Sequence, residues 1–417
     1  MTPELKGFLL VSIIKMVLVF TVVMVGVALL TLMERKVSAW MQNRLGPNRV
    51  GYGGLLQPAA DGLKNIIKEE TRPPFANRFL FVLAPAMAFI PALCLSAVIP
   101  FAAPLPMEFN FSLPLLGRFV HHGVTPMAVA DLPIGFLFVI AISSLGVYGI
   151  ALAGWSSNSK YSLLGGLRAS AQMVSYEVAM GLSLIPVLLL SGNVSFSAII
   201  ANQQHGVWYV VPLFLSFFVF LVSGFAETNR VPFDMPEAES ELIAGYHTEY
   251  SAMKFSLFFI AEYSNMVTVS SMVASLFFGG WDIPFTSWDQ THAGLIVSLL
   301  TFMAFFAKVF FFLFLFMWIR WTLPRFRFDQ LMALGWKVMI PLALAYVMVI
   351  AVAIYLIEDV LHVGSIRVEQ LILGGVSVAL GFVVFFLMDR NTVISGSQAK
   401  RREAIARAVA AAPDSKL

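Results

Sequence analysis

Nine long apolar segments restrict the class of structure that this sequence can adopt. Each is close to or longer than the roughly 20 residues that a helix needs to cross a bilayer, and a backbone within the bilayer must satisfy its own hydrogen bonds. Of the 417 residues, 59% are hydrophobic and 12% are charged, which excludes an ordinary soluble protein. The sequence therefore predicts an all-α polytopic membrane protein, with spans at about residues 7–33, 77–101, 132–156, 164–191, 207–226, 250–278, 295–319, 336–358 and 368–388. Residues 1–390 are expected to form a single transmembrane helical domain, and residues 391–417 a polar, helical tail.

Positively charged residues alternate from one connection to the next. Lys and Arg follow the first span, then occupy every second connection and the tail, while the opposite connections hold only Lys6, Arg118 and Arg367. By the positive-inside rule, the basic connections and the tail face the cytoplasm. The N-terminus is therefore expected outside and the C-terminus inside.

Residues 54–69 differ from the spans. Leu56, Leu63 and Ile67 belong to an apolar face at helical spacing, with Asp61 and Lys64 on the other side. Because its apolar run is interrupted, this helix is predicted to lie along the membrane surface. The glycine- and proline-rich stretch at residues 44–54 before it, RLGPNRVGYGG, indicates a shaped loop, although a basic loop on anionic lipid is an alternative.

Acidic residues are concentrated between the fifth and sixth spans. Asp234-Met-Pro-Glu237 has the pattern of a helix cap, so Glu237 has a purely structural interpretation as well. Capping does not explain the remaining acids of the same stretch. Clustered carboxylates repel one another, which favours proton binding and makes them candidate proton carriers. The group comprises Glu227, Asp234, Glu237, Glu239, Glu241 and Glu249.

Charged residues also lie within the spans. Glu177 is about a dozen residues into its span, Glu262 about two turns beyond Lys254, and Lys308 halfway along the seventh span. Each would cost on the order of 2.5–3.5 kcal/mol facing lipid, so we expect each to face a protein interior or a water-filled cavity. With Glu227 at the neighbouring membrane edge, Glu177 and Glu262 suit a proton relay; a buried Glu–Lys pair that holds helices together is the alternative.

Several other kinds of site are excluded or disfavoured. The chain has one cysteine, Cys94, which rules out an internal disulfide and an iron–sulfur cluster or cysteine zinc site held by this chain alone. The adjacent His121 and His122 lack an acidic or cysteine partner, so no metal site is predicted. No glycine-rich nucleotide motif is present, and nothing suggests a nucleic-acid partner.

Five stretches resemble a known family of membrane subunits. The family is the H subunit of the proton-pumping NADH:quinone oxidoreductase, respiratory complex I, called subunit 1 in mitochondria. The resemblance covers about residues 7 to 358. The outward loop at residues 102–130, the ninth span and the tail lie outside its motifs. The stretches are ERKVSAWMQNRLGPNRVG (residues 34–51), LQPAADGLKNIIKEE (56–70), GWSSNSKYSLLGGLRASAQMVSYE (154–177), AETNRVPFDMPEAESELIAGYHTEYS (226–251) and IRWTLPRFRFDQLM (319–332).

This resemblance implies a role for particular residues. Quinone, either ubiquinone or menaquinone, is the implied substrate, while flavin and iron–sulfur clusters belong to partner subunits. The implied partners are the quinone-site and cluster-bearing soluble subunits, small membrane subunits and membrane lipid, in a bacterial plasma (inner) membrane in preference to a mitochondrial one. Glu34, Arg35, Asp61, Arg230 and Asp234 are expected at the quinone chamber, Arg44 and Arg49 at the junction with the soluble arm, and Glu177, Glu227, Glu237, Glu239, Glu241 and Glu262 along a proton relay.

Two other functions stay open at this point. A related membrane subunit anchors energy-converting hydrogenases, which share the architecture without needing quinone. A free-standing transporter with its own substrate is the second alternative, and it would purify alone or as a homo-oligomer.

Overall fold

The computed structural model describes residues 2–113, 117–234, 243–284, 286, 288–292, 294–362 and 365–389. The predicted tail at residues 391–417 and the acids Glu237, Glu239 and Glu241 lie outside these ranges. The helices are α1 (Pro3–Met41), α2 (Gln57–Ile67), α3 (Arg78–Leu95), α4 (Gly135–Ser156), α5 (Lys160–Ser191), α6 (Phe196–His205), α7 (Phe214–Glu227), α8 (Ala252–Phe277), α9 (Trp288–Thr291), α10 (Leu295–Thr322), α11 (Phe328–Leu334), α12 (Ile340–Tyr355) and α13 (Ile366–Asp389).

The described residues confirm the predicted fold class. Eight helical segments are long and apolar enough to cross a membrane, the seventh of them running through α11 and α12. The remaining predicted span corresponds to α7, a shorter apolar helix of 14 residues. The connections between α1 and α3, α4 and α5, α7 and α8, and α10 and α11 meet at one end of the bundle, which we call the basic end.

The predicted surface helix is α2, which begins three residues later and ends two residues earlier than the sequence suggested. Pro58 stands in its first turn, where a missing backbone N–H costs nothing. Before it, the loop folds tightly: Lys36 donates to the carbonyl of Gly53 at 2.6 Å. At Gly54 (φ +83°), a Cβ would lie 2.2 Å from the Pro47 carbonyl oxygen, so only glycine fits. The loop is therefore shaped against α1.

Helix α5 lies at the centre of the bundle and packs against α4, α7 and α12. Small residues permit the closest approaches: a Cβ on Gly165 would lie 2.6 Å from Gly245, and Gly154 meets Gly166 across α4 and α5. Helix α8 packs against α3 on one side and α10 on the other. These contacts place the polar residues of α5, α7 and α8 in one interior region.

The connection between α3 and α4 contains strands that the sequence did not predict. They form two short antiparallel pairs, β1 (Leu105–Pro106) with β4 (Val124–Thr125) and β2 (Phe109–Leu113) with β3 (Gly117–His121). Strand β3 packs on α1 so closely that a Cβ on Gly7 would lie 2.0 Å from the Val120 carbonyl oxygen. Lys15 of α1 donates to the carbonyls of Pro126 and Ala128, which explains a charge within that span.

Helix α13, the ninth span, supplies hydrogen bonds to irregular backbone near the start of α7. Buried Gln370 accepts from the Val207 N–H at 2.6 Å, and Ser377 donates to the Pro212 carbonyl. Tyr346 of α12 bonds to the same serine. Backbone that is not helical needs such partners inside a membrane protein, so α13 completes this part of the fold.

We expect Gln370→Leu to destabilise the protein by about 1–3 kcal/mol, because it leaves the Val207 N–H without its acceptor. Val378→Leu, on the exposed face of the same helix, is the control. A thermal-shift measurement on the solubilised protein tests this. Equal midpoints for the two variants would show that the hydrogen bond contributes nothing.

Candidate functional site

A large cavity opens between α1, α2 and α8 near the basic end. It has a volume of about 480 Å³ and is called the chamber below. Its wall towards the membrane is apolar, with Met24, Val27 and Phe259 among the lining residues. Its inner end is ionic, because Glu34, Arg35, Asp61, Arg230 and Arg320 line it there.

A buried cluster of opposite charges forms this inner end. The Arg230 guanidinium, 4% exposed, lies 3.7 Å from Glu34 and 3.5 Å from Glu262, over the ring of Tyr263 at 4.3 Å. Tyr263 donates its hydroxyl hydrogen to Glu34 at 2.6 Å, and Arg320 forms a second ion pair with Glu34. Two arginines thus face two carboxylates, which is the condition under which ionised groups remain stable away from water.

Asp61 holds the surface helix against α1. Its carboxylate accepts from Arg35 at 2.6 Å and from Gln57 at 2.9 Å, with Lys64 at 3.5 Å. Partial burial raises the pKa of Asp61, but the hydrogen bonds from Arg35 and Gln57 outweigh it, so the net pKa lies below its usual range. The stabilising contribution of this carboxylate is therefore complete above the unfolded pKa of about 3.9 and is lost as the pH falls through the lower folded value.

Asp234 differs from the other predicted chamber residues in its surroundings. Asp234 is buried and accepts a hydrogen bond from Arg325 at 2.8 Å, and it is not among the residues that line the chamber. Arg44 donates to Gln42 within the same exposed loop, and Arg49 is exposed nearby. Both arginines are therefore on the surface of the basic end.

Two small polar cavities lie deeper in the bundle. Glu227 and Glu262 line the first together with Asn265, and Glu227, Asn265 and Thr268 line the second with Ser143. Ser143 donates to one oxygen of the fully buried Glu227 carboxylate. Its other oxygen, Asn265 Oδ1 and Thr268 Oγ1 are buried without a hydrogen-bond partner among the described residues. The first cavity, of about 20 Å³, has room for one water molecule.

The remaining intramembrane charges have different surroundings. Glu177 on α5 is half-buried and lines neither small cavity, although Glu227 acts on it electrostatically. Lys308 donates to the carbonyls of Phe278, Gly280 and Asp282 at 2.6–2.9 Å. It therefore caps the carboxyl end of α8, a role favoured by the helix dipole.

Sequence reasoning missed five residues of this region: Ser143, Tyr263, Asn265, Thr268 and Arg320. Tyr263 follows Glu262 directly, but only the fold shows that its hydroxyl reaches Glu34 of α1. Small hydroxyls and amides within apolar helices carry no periodic signal. Their roles depend on contacts between helices that are distant in sequence.

Fold and site together define a polytopic membrane protein with a chamber between α1, α2 and α8 that ends in buried charges. Comparison with known proteins agrees with this class. The family model described as NADH dehydrogenase matches residues 14–351. An H subunit of NADH-quinone oxidoreductase from Koribacter versatilis, numbered 2 in that organism, is 51% identical over 354 residues, covering 84% of this chain and 98% of that protein.

Further relatives agree. The H subunit from Flavobacterium psychrophilum is 47% identical over 354 residues, 85% of this chain and 99% of that protein. NADH-quinone oxidoreductase subunit 8 of Rhodothermus marinus is 46% identical over 348 residues, 81% and 96% respectively. The chain belongs to the H-subunit family of NADH-quinone oxidoreductases.

We expect Arg230→Met to destabilise the protein by about 3–5 kcal/mol, because Glu34 and Glu262 lose a cation that both contact. Arg230→Met combined with Glu262→Gln should recover part of the loss, since one uncompensated charge is removed with its partner. Thermal unfolding of the solubilised protein measures both. The proposed coupling would be contradicted if the double variant lost more free energy of unfolding than the two single variants lose together.

Proposed function

We propose that this chain forms the quinone-binding chamber of an NADH-quinone oxidoreductase and couples quinone reduction to proton translocation. The carrying observation is the chamber itself, whose apolar mouth between α1, α2 and α8 leads to an ionic inner end. A quinone has a matching distribution, with a long apolar chain and a ring bearing two carbonyl oxygens. We propose that the ring finds its polar partners in Tyr263, Arg35 and Asp61, which line the chamber.

The chemistry of quinone reduction determines which groups are needed at the inner end of the chamber. One quinone takes up two electrons and two protons to become a quinol. The electrons come from NADH through flavin and iron–sulfur clusters in partner subunits. This chain contributes the binding site and a charged environment: Arg230 and Arg320 stabilise negative charge that develops on the ring during reduction.

A path for the coupled protons continues from the same cluster. Arg230 contacts Glu34, which lines the chamber, and Glu262, which lines the first interior cavity. Glu227 lines that cavity too. A change of charge at the chamber is therefore felt by carboxylates in the bundle, where a low dielectric strengthens each interaction. Glu177 continues the relay on α5, and Glu237, Glu239 and Glu241 are proposed to supply it from the basic end.

The basic end is the proposed docking face for the soluble quinone-site and cluster-bearing subunits. Arg44 and Arg49 are exposed on a loop whose glycine and proline residues give its backbone a defined shape. Such a loop suits a protein interface. Asp234, held by Arg325, would brace the adjoining loop beneath the chamber. We propose that this end faces the bacterial cytoplasm, with the N-terminus outside and small membrane subunits beside the bundle.

The energy-converting hydrogenase anchor has less support than the quinone enzyme. All of the relatives described above bear the name NADH-quinone oxidoreductase. The chamber also extends to the membrane side between α1, α2 and α8, as a lipid-soluble substrate requires.

Asp61→Ala should impair quinone reduction and leave NADH oxidation by an artificial electron acceptor intact. The substitution removes the carboxylate that joins α2 to Arg35 at the chamber. Assays on assembled complex compare it with Asp329→Ala, which removes an exposed carboxylate elsewhere at the basic end. Normal quinone kinetics in assembled Asp61→Ala would contradict a role for this residue.

Glu177→Gln and Glu262→Gln should each lower quinone reduction and the membrane potential it generates while keeping the fold, because Gln preserves shape and cannot carry the proton. The exposed Glu108→Gln is the matched control. NADH:quinone activity and membrane potential are measured on the same fully assembled preparations. If both variants, singly and combined, had wild-type activity and membrane potential, Glu177 and Glu262 would only contribute to helix packing.

A further inference from the structure

A second groove runs along the opposite side of α1 from the chamber, bounded by α1, α8 and α10. On α1 it uses Leu18, Val22, Gly26, Leu29 and Met33, which recur every three or four residues. The chamber uses Met24, Val27 and Thr31 of the same helix. At 3.6 residues per turn the two sets point in nearly opposite directions. One helix thus separates the two openings.

The chemistry of this groove differs from that of the chamber. Among the described residues that line it, none carries a charge, and the only hydroxyls are those of Ser96, Thr268 and Ser271. The quinone ring would find no ionic partner there. Leu18, Leu29 and Phe310 are about half exposed at its rim, so the groove opens at the depth of the lipid hydrocarbon.

The dimensions distinguish between possible occupants. From Leu18 to Met33 the groove follows α1 for ~22 Å, at 1.5 Å per residue. Its volume of about 410 Å³ then corresponds to a mean cross-section of ~19 Å², which is well below the ~80 Å² of a helix 10 Å in diameter. A membrane helix of another subunit is too wide to fill it, whereas extended hydrocarbon chains fit.

Thr268 connects the groove with the interior. It lines the groove and also the small polar cavity that contains Glu227 and Asn265. Its hydroxyl is buried without a hydrogen-bond partner among the described residues. Thr268 therefore forms part of the partition between the groove and that polar cavity.

We propose that the acyl chain of a membrane phospholipid occupies this groove as a retained ligand and packs against Thr268, behind which the polar cavity lies. The site is distinct from the chamber because α1 lies between them. Its occupant also supports α1, which is only lightly buried by protein along its apolar length. The proposal goes beyond quinone binding and does not depend on it.

Gly26 provides the test, because a Cβ at this position meets no atom within 4 Å and Gly26 lines the groove. Gly26→Leu adds a side chain to the groove lining, and leucine favours the helix over glycine. The assembled complex is reconstituted into vesicles containing phosphatidylethanolamine with a diazirine on its acyl chain, irradiated, and mapped by mass spectrometry. Gly381→Leu on α13, also without a neighbour within 4 Å, is the control. Val22→Trp fills the groove from a second position.

The proposal predicts labelling of α1 and α10 at groove residues in the wild type and in Gly381→Leu. That labelling falls to the level of the exposed face of α13 in Gly26→Leu and in Val22→Trp. Labelling unchanged by the filling variants would overturn the proposal, since it would reflect ordinary boundary lipid. Absence of label in the wild type would overturn it too, as would displacement of the label by excess long-chain quinone. None of these outcomes depends on the quinone or proton proposals.

Discussion

A guanidinium buried between two carboxylates holds the functional region of this protein together. Arg230 comes from the segment after α7, Glu34 from the inner part of α1 and Glu262 from α8, while Arg320 of α10 pairs with Glu34 from another side. Four parts of the chain therefore converge on one set of charges. Ionised groups removed from water are tolerated only with such partners, because each unpaired one costs several kcal/mol. The arrangement fixes where α1 can lie against α8, and α1 in turn forms a wall of the chamber.

The same charged cluster connects the chamber with the polar cavities in the interior of the bundle. Glu34 lines the chamber, Glu262 lines the first polar cavity, and Arg230 contacts both. Beyond it lie Glu227 and its hydroxyl partner Ser143. A substrate that changes charge at the inner end would alter the field on these carboxylates without touching them. This is the physical basis on which we propose that quinone reduction and proton movement are coupled.

Much of the fold follows from the sequence, since crossing a bilayer imposes length and hydrophobicity that can be read directly. The surface helix was predicted for a similar reason, because its apolar face is interrupted by Asp61 and Lys64. The β-strands before α4 were not predicted, since short strands rich in neighbouring prolines carry little periodic signal. Lys308 was predicted to need a protein environment, but its role as a cap of α8 depends on the exact end of another helix.

The candidate site was predictable as a set of acids and bases, but not as a geometry. The position of Glu262 within a span singled it out, whereas the family resemblance implied Glu34, Asp61 and Arg230 and grouped Asp234 with them. In the structure Asp234 pairs with Arg325 and does not belong to the described chamber lining. Tyr263 and Ser143 escaped because each acts across helices far apart in sequence. Spacing along a chain shows which side chains share a helix face. It does not show which faces meet.

Redox-induced infrared difference spectroscopy tests the central claim most directly, because it detects protonation changes of buried carboxylic acids when quinone is reduced. Assembled complex is compared in wild-type, Glu262→Gln and Glu108→Gln forms, with quinone bound and the electron supply switched on. We predict a carbonyl-stretch difference band in the wild type and in Glu108→Gln that is lost in Glu262→Gln. A band of undiminished amplitude in Glu262→Gln, with quinone reduced to the same extent, would contradict a link between the chamber and this carboxylate.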